Sequence, residues 1–123
     1  MKKSGRILGV LGAAVLAVTL TATPAEATIK TLYTRDDPSG GKAYWSSVNH
    51  RLSVYDIKKD GRSVVGRVYT SRGYVLGKVS VGGYGKSASK VIDVGSANTV
   101  KVEVCLTNSV SLKVSCSSTI SYT

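Results

Sequence analysis

The side chains of this chain that could do covalent or metal chemistry are few and scattered. One histidine, His50, and two cysteines, Cys105 and Cys116, stand among 123 residues. A Ser-His-Asp system needs a base held by a carboxylate within reach of a nucleophile. His50 is the sole imidazole, and no Gly-x-Ser-x-Gly elbow accompanies the serines. A lone histidine at a strand start reads as a surface or capping residue. After residue 27 the acids are Asp36, Asp37, Asp56, Asp60, Asp93 and Glu103. Paired carboxylates for glycoside cleavage must face one cleft. Asp36 and Asp37 fall in a Pro- and Gly-containing stretch and Asp60 in a turn, so no such pair is expected. Asp56 and Asp60 could share a calcium ion, which wants several oxygens. Lys58 and Lys59 lie between them and oppose a cation there. The turn reading is preferred, with Asp56 accepting backbone N–H bonds at a strand end. No catalytic residue, no metal and no cofactor are expected.

The compartment follows from the start of the chain. Lys2, Lys3 and Arg6 precede an apolar run from Ile7 to Leu20, and a polar stretch ends in Ala25-Glu26-Ala27. A basic flank, a short apolar core and small residues at minus one and minus three predict a signal peptide over 1–27. The run is too short for a spanning helix, which needs about 20 apolar residues. A secreted, extracellular protein of residues 28–123 is expected, with no membrane association after cleavage. Its 96 residues make one domain. Export also favours pairing Cys105 with Cys116 as a disulfide. Closing that loop should stabilise by about 3 kcal/mol.

The positioning elements are short strands. Residues 28–41 read as an N-terminal extension and linker, ending in Asp37-Pro38-Ser39-Gly40-Gly41, and 42–123 as the domain proper. Strand patterns recur at 42–46, 51–57, 63–70, 74–81, 89–94, 99–106 and 111–122, with turn residues between them. Gly66, inside one of them, reads as a bulge. No stretch after residue 27 shows a capped 3.6 period. The expected fold is all-β, a small two-sheet antiparallel β-sandwich of immunoglobulin-like architecture, preceded by a signal-peptide helix. The alternation of Val100, Val102, Val104 and Leu106 puts Cys105 on the opposite parity, whereas Cys116 shares parity with Leu112, Val114 and Ile120. Pairing the two cysteines therefore requires a bulge in one strand or a twist near Thr107 to Val110.

Trp45 reads as core. Tyr55 and Tyr69 fall opposite the Leu52 and Val54 face, on a sheet surface suited to binding a sugar or a protein. Ile29, Leu32 and Tyr33 either form the first strand of their own sheet or extend into a partner. After signal removal Lys plus Arg falls from 17 to 14 and Asp plus Glu from 7 to 6, leaving about +8. That charge draws the protein toward anionic partners such as wall polymers. The cations are spread singly apart from Lys58-Lys59, so nucleic acid is not expected as a partner.

Gly40-Gly41-Lys42-Ala43-Tyr44-Trp45, the run from Leu52 to Val64, and Val100 to Cys105 with Cys116 resemble a family of small secreted actinobacterial β-sandwich proteins. Some members are similar to the adaptor subunit of streptomycete umbrella toxin particles. Tyr55 stands where such proteins often carry a further cysteine. The resemblance implies a non-enzymatic adaptor between a lectin-bearing subunit and a repeat-containing toxin subunit. It implies that the N-terminal extension, through Ile29, Leu32, Tyr33 and Arg35, inserts into a partner cleft. The bare sequence leaves two other readings, a stand-alone cationic module for the cell wall or another polyanion, and a protease inhibitor presenting the Cys105–Cys116 segment.

Overall fold

Val, Leu, Thr and Tyr placed at alternate positions generate strands, because branched and aromatic side chains pack well on a pleated surface. The computed structural model describes residues 29–108, 110 and 112–123. The signal peptide expected over 1–27 lies outside the described residues. Eight strands follow in order: β1 (Ile29–Tyr33), β2 (Gly41–Ser46), β3 (Arg51–Asp56), β4 (Ser63–Tyr69), β5 (Val75–Gly82), β6 (Ser87–Val91), β7 (Thr99–Thr107) and β8 (Lys113–Tyr122). They form two antiparallel four-stranded sheets, β1-β2-β3-β6 and β5-β4-β7-β8. The described residues thus form an all-β sandwich.

The inward rows of the two sheets interdigitate. Leu32, Ala43, Trp45, Leu52 and Val54 from the first sheet meet Val64, Val68, Val102, Val104 and Leu106 from the second, and all are buried. Ile92, just past β6, seats against Gly77, where a Cβ would lie 2.4 Å from its Cδ1. Gly66 is not the bulge that the sequence suggests. It pairs in regular register with Val79 and Val104, and the register shift in β4–β5 falls between Val68 and Tyr69. The glycine is required instead by the opposite sheet, since a Cβ there would meet Val54 Cγ1 at 2.6 Å.

The cysteine register conflict resolves through a bulge in β8. Val104 faces Ser117 and Leu106 faces Val114, so Ser115 and Cys116 together oppose Cys105. Ser115 takes a left-handed φ of 54° to do this. The bulge re-aims Cys116 toward Cys105, and the two form a disulfide.

Residues 29–41 are integrated with the sandwich. β1 pairs along its length with β2, and Leu32 is buried in the core. The corner after β1 is tied by its own side chains. The Thr34 hydroxyl donates to Asp36 Oδ1 at 2.6 Å and accepts the N–H groups of Gly40 and Gly41 at 3.1 and 2.9 Å. Arg35 N–H donates to the Ser115 carbonyl at 2.9 Å, joining the first sheet's edge to the bulge in β8.

Candidate functional site: a tyrosine-rich sheet face

Side chains alternate across a strand, so the residues that do not enter the core form the outer face. On the first sheet the pairing register sets these residues in three rows. Ile29, Ser46, Arg51 and Val91 form one, Thr31, Tyr44, Ser53 and Ser89 the next, and Tyr33, Lys42, Tyr55 and Ser87 the third. Three of the seven tyrosines of the chain therefore share one surface. Ile29 and Tyr33 are half exposed, at 49% and 50%, and Tyr44 is 37% exposed. The Lys42 ammonium lies 5.2 Å from the centre of the Tyr55 ring, a cation–π contact that orients both. Arg51 donates to the Ser89 hydroxyl at 2.9 Å. A shallow groove of about 230 Å³ runs between Tyr55, Ser53, Ser87 and Ser89.

Tyrosine gives large contact area with only two side-chain torsions to order, and serine gives adaptable hydrogen bonding. That pairing is how antibody combining sites are built. At about 4.8 Å between strands and about 6.8 Å between rows, the face spans roughly 14 by 14 Å. A stable interface buries about 800 Å² on each partner. The face is the size of the anchoring centre of such a patch, and the surrounding corners would supply its rim.

The four tail residues divide. Ile29 and Tyr33 lie on this face, Leu32 points the other way into the core, and Arg35 is exposed just past β1. A partner can touch Ile29 and Tyr33 while β1 stays paired, but it reaches Leu32 only if β1 leaves its own sheet. Tyr44 and Lys42 are not among the partner-contact residues that the sequence suggests. The signal that finds them is their parity with Tyr33 and Tyr55 once β1, β2 and β3 are aligned.

The outer face of the second sheet is more self-contained. The Tyr69 hydroxyl donates to Glu103 Oε1 at 2.8 Å, and Lys113 Nζ reaches the same carboxylate at 3.1 Å. Burial pushes the Glu103 carboxyl up, and the bonds from Tyr69 and Lys113 outweigh it and hold it below its ordinary value. Cys105, Cys116 and Glu103 converge closely enough to suggest metal ligands. Both sulfurs are in the disulfide, so that group is structural. His50 stacks on Trp45, with ring centres 6.0 Å apart, and occupies a tight turn at φ 54°. Asp56 accepts the Gly83 N–H at 2.9 Å, the backbone role that its strand-end position predicts. No helix among the described residues is long and apolar enough to cross a membrane.

No protein-family model matches the chain, and no curated protein matches it. Among solved structures it is similar to an endonuclease/exonuclease/phosphatase from Beutenbergia cavernae, with a TM-score of 0.60 and 15% sequence identity. The match covers 76% of this chain and 27% of that one, so the chain spans about a quarter of its structural neighbour. At this identity the likeness is one of fold.

Proposed function

We propose that this protein is a secreted, non-enzymatic adaptor that binds other secreted proteins through the outer face of its first sheet. The observation that carries the reading is the gathering of Ile29, Tyr33, Tyr44 and Tyr55 on one exposed surface. Export is supported by the N-terminal pattern over 1–27 and by the Cys105–Cys116 disulfide, which suits an oxidising compartment. The engagement of His50 with Trp45 and of Asp56 with backbone N–H groups supports a binding role over a catalytic one. In the toxin-particle setting that the sequence resembles, the partners are a lectin-bearing subunit and a repeat-containing toxin subunit, and the assembly serves competition between bacteria. β1 then contributes Ile29 and Tyr33 to the partner cleft, with Arg35 beside them.

The test is a pull-down of tagged protein from culture supernatant, with mass determination of what is recovered. Stoichiometric secreted partners are expected with the wild type and are lost with Tyr44→Ala/Tyr55→Ala. Recovery of the wild-type protein alone, at monomer mass, would overturn the reading.

A second reading, a stand-alone module for wall polyanions, is favoured by the net charge of about +8 after signal removal and by Lys58, Lys59 and Arg62 around a cleft of about 420 Å³ that also holds Asp56 and Asp60. Binding of that kind falls steeply with salt through counterion release and screening. Wall binding that survives high salt, or that is missing at low salt, removes it.

A further inference from the structure

At one end of the sandwich the β4–β5 turn and the β6–β7 connection line an open cleft of about 560 Å³. That volume lies within the rough range of small-molecule sites, about 300–1,000 Å³. Its walls carry Arg72, Tyr74, Ser71, Ser96 and Asn98 over a small apolar floor of Val94 and Ala97. Tyr74 is 68% exposed although it is a large ring, so its face is open to a ligand. Arg72 is the only charged side chain among the lining residues, and none of them is a carboxylate.

Both walls are held by their own hydrogen bonds. Thr70 Oγ1 accepts the N–H groups of Arg72 at 3.3 Å and Tyr74 at 3.1 Å, and Thr70 N–H donates to the Tyr74 carbonyl at 2.8 Å. Opposite, Asp93 Oδ1 accepts the Gly95 N–H at 2.9 Å, Ala97 N–H donates to the Val94 carbonyl at 3.1 Å, and Thr123 N–H donates to the Asn98 carbonyl at 3.0 Å. A cleft whose loops are already fixed loses little entropy on binding.

We infer that this cleft binds an acidic saccharide. A sugar ring offers an apolar face to Tyr74 and hydroxyls to Asn98, Ser71 and Ser96. Its carboxylate matches the planar fork of Arg72, which an isolated cation with no competing acid in the cleft leaves available. The site lies on loops at the end of the sandwich and does not depend on the tyrosine face described above.

The test is an NMR titration of the ¹⁵N-labelled protein with three probes, glucuronic acid, glucose and acetate. Glucuronic acid at millimolar concentration is expected to shift the amides of residues 70–74 and 96–99, with glucose weaker and acetate without effect there. Arg72→Gln should weaken glucuronic acid by about tenfold, the loss of one charge-assisted pair, and leave glucose unchanged. Tyr74→Ala should abolish both responses while the spectrum stays dispersed, since this ring contributes little to the core. Shifts confined to the Lys58–Arg62 end, an equal response to acetate, or no response in the wild type would each overturn the inference.

Discussion

Two backbone positions in this chain show how single residues are dictated by neighbours far away in sequence. Gly66 is glycine because Val54 and Leu52 from the opposite sheet approach the place where its Cβ would stand, at 2.6 and 3.2 Å. Gly66→Ala should therefore destabilise by about 1–3 kcal/mol through overpacking, read as a lower urea midpoint at unchanged slope. A sequence shows a glycine inside a strand pattern and suggests a bulge. It cannot show which branched side chain faces that glycine across the gap. Ser115 is the converse case, a residue with a Cβ held at φ 54°. The left-handed region costs a non-glycine residue about 1–2 kcal/mol, and the extra freedom of unfolded glycine takes back about half of that. Ser115→Gly is expected to stabilise by about 0.5–1 kcal/mol in the same urea experiment. A lower midpoint would mean that the serine side chain contributes more than its backbone costs.

At the level of elements, the alternation of apolar and polar residues was enough to mark the strands. Val100, Val102, Val104 and Leu106 point inward along β7 as their spacing requires. The parity conflict between Cys105 and Cys116 was legible too, and the structure meets it with a bulge that sets Ser115 and Cys116 against Cys105. Removing the pair with Cys105→Ser/Cys116→Ser should cost about 3 kcal/mol, because the unfolded chain regains the loop's freedom. Equal stability with and without reductant would show that the β7–β8 ladder alone fixes this segment. Gly40 and Gly41 were harder to read. Their composition suggests a linker, yet Gly41 stands where a Cβ would lie 2.7 Å from Val64 Cγ1, and Gly40 N–H is bonded to Thr34. The tyrosine face was half visible, since parity places Tyr55 outward. Its completion by Tyr33 and Tyr44 depends on strand neighbours that only the pairing of β1, β2 and β3 reveals. The end cleft was not legible at all, because Tyr74 and Asn98 belong to connections that meet only after the two sheets stack.

Across the whole molecule, charge sets the pH range of stability from both sides. On the acid side, burial raises the Asp36 carboxyl, but Lys58 at 2.8 Å, the Thr34 hydroxyl and the Gly40 N–H outweigh it and bring it to about 2. Glu103 is lowered as well, by Tyr69 and Lys113 acting against burial. A carboxylate lowered in the folded state binds fewer protons there than in the unfolded chain. Its contribution is present above the ordinary carboxylate value and is lost as pH falls through the folded one. On the alkaline side, hydrogen bonds to Tyr69 and Glu103 raise Lys113 above its ordinary 10.5. That contribution is complete below the ordinary value and is lost as pH rises past it. Stability should thus be flat through neutrality and fall at both extremes, with the acid fall from Asp36 lying between its ordinary 3.8 and about 2. Asp36→Asn isolates that part. The variant should be less stable than wild type at neutral pH, because the Lys58 pairing is gone, and its melting temperature should change less over the acid window. The two curves should converge as pH approaches 2, where wild-type Asp36 takes up its proton. Curves that stay parallel down to that pH would place the stabilising role of Asp36 in its neutral hydrogen bonds to the Thr34–Gly41 corner, and the Lys58 charge would then contribute nothing measurable, as for many surface ion pairs.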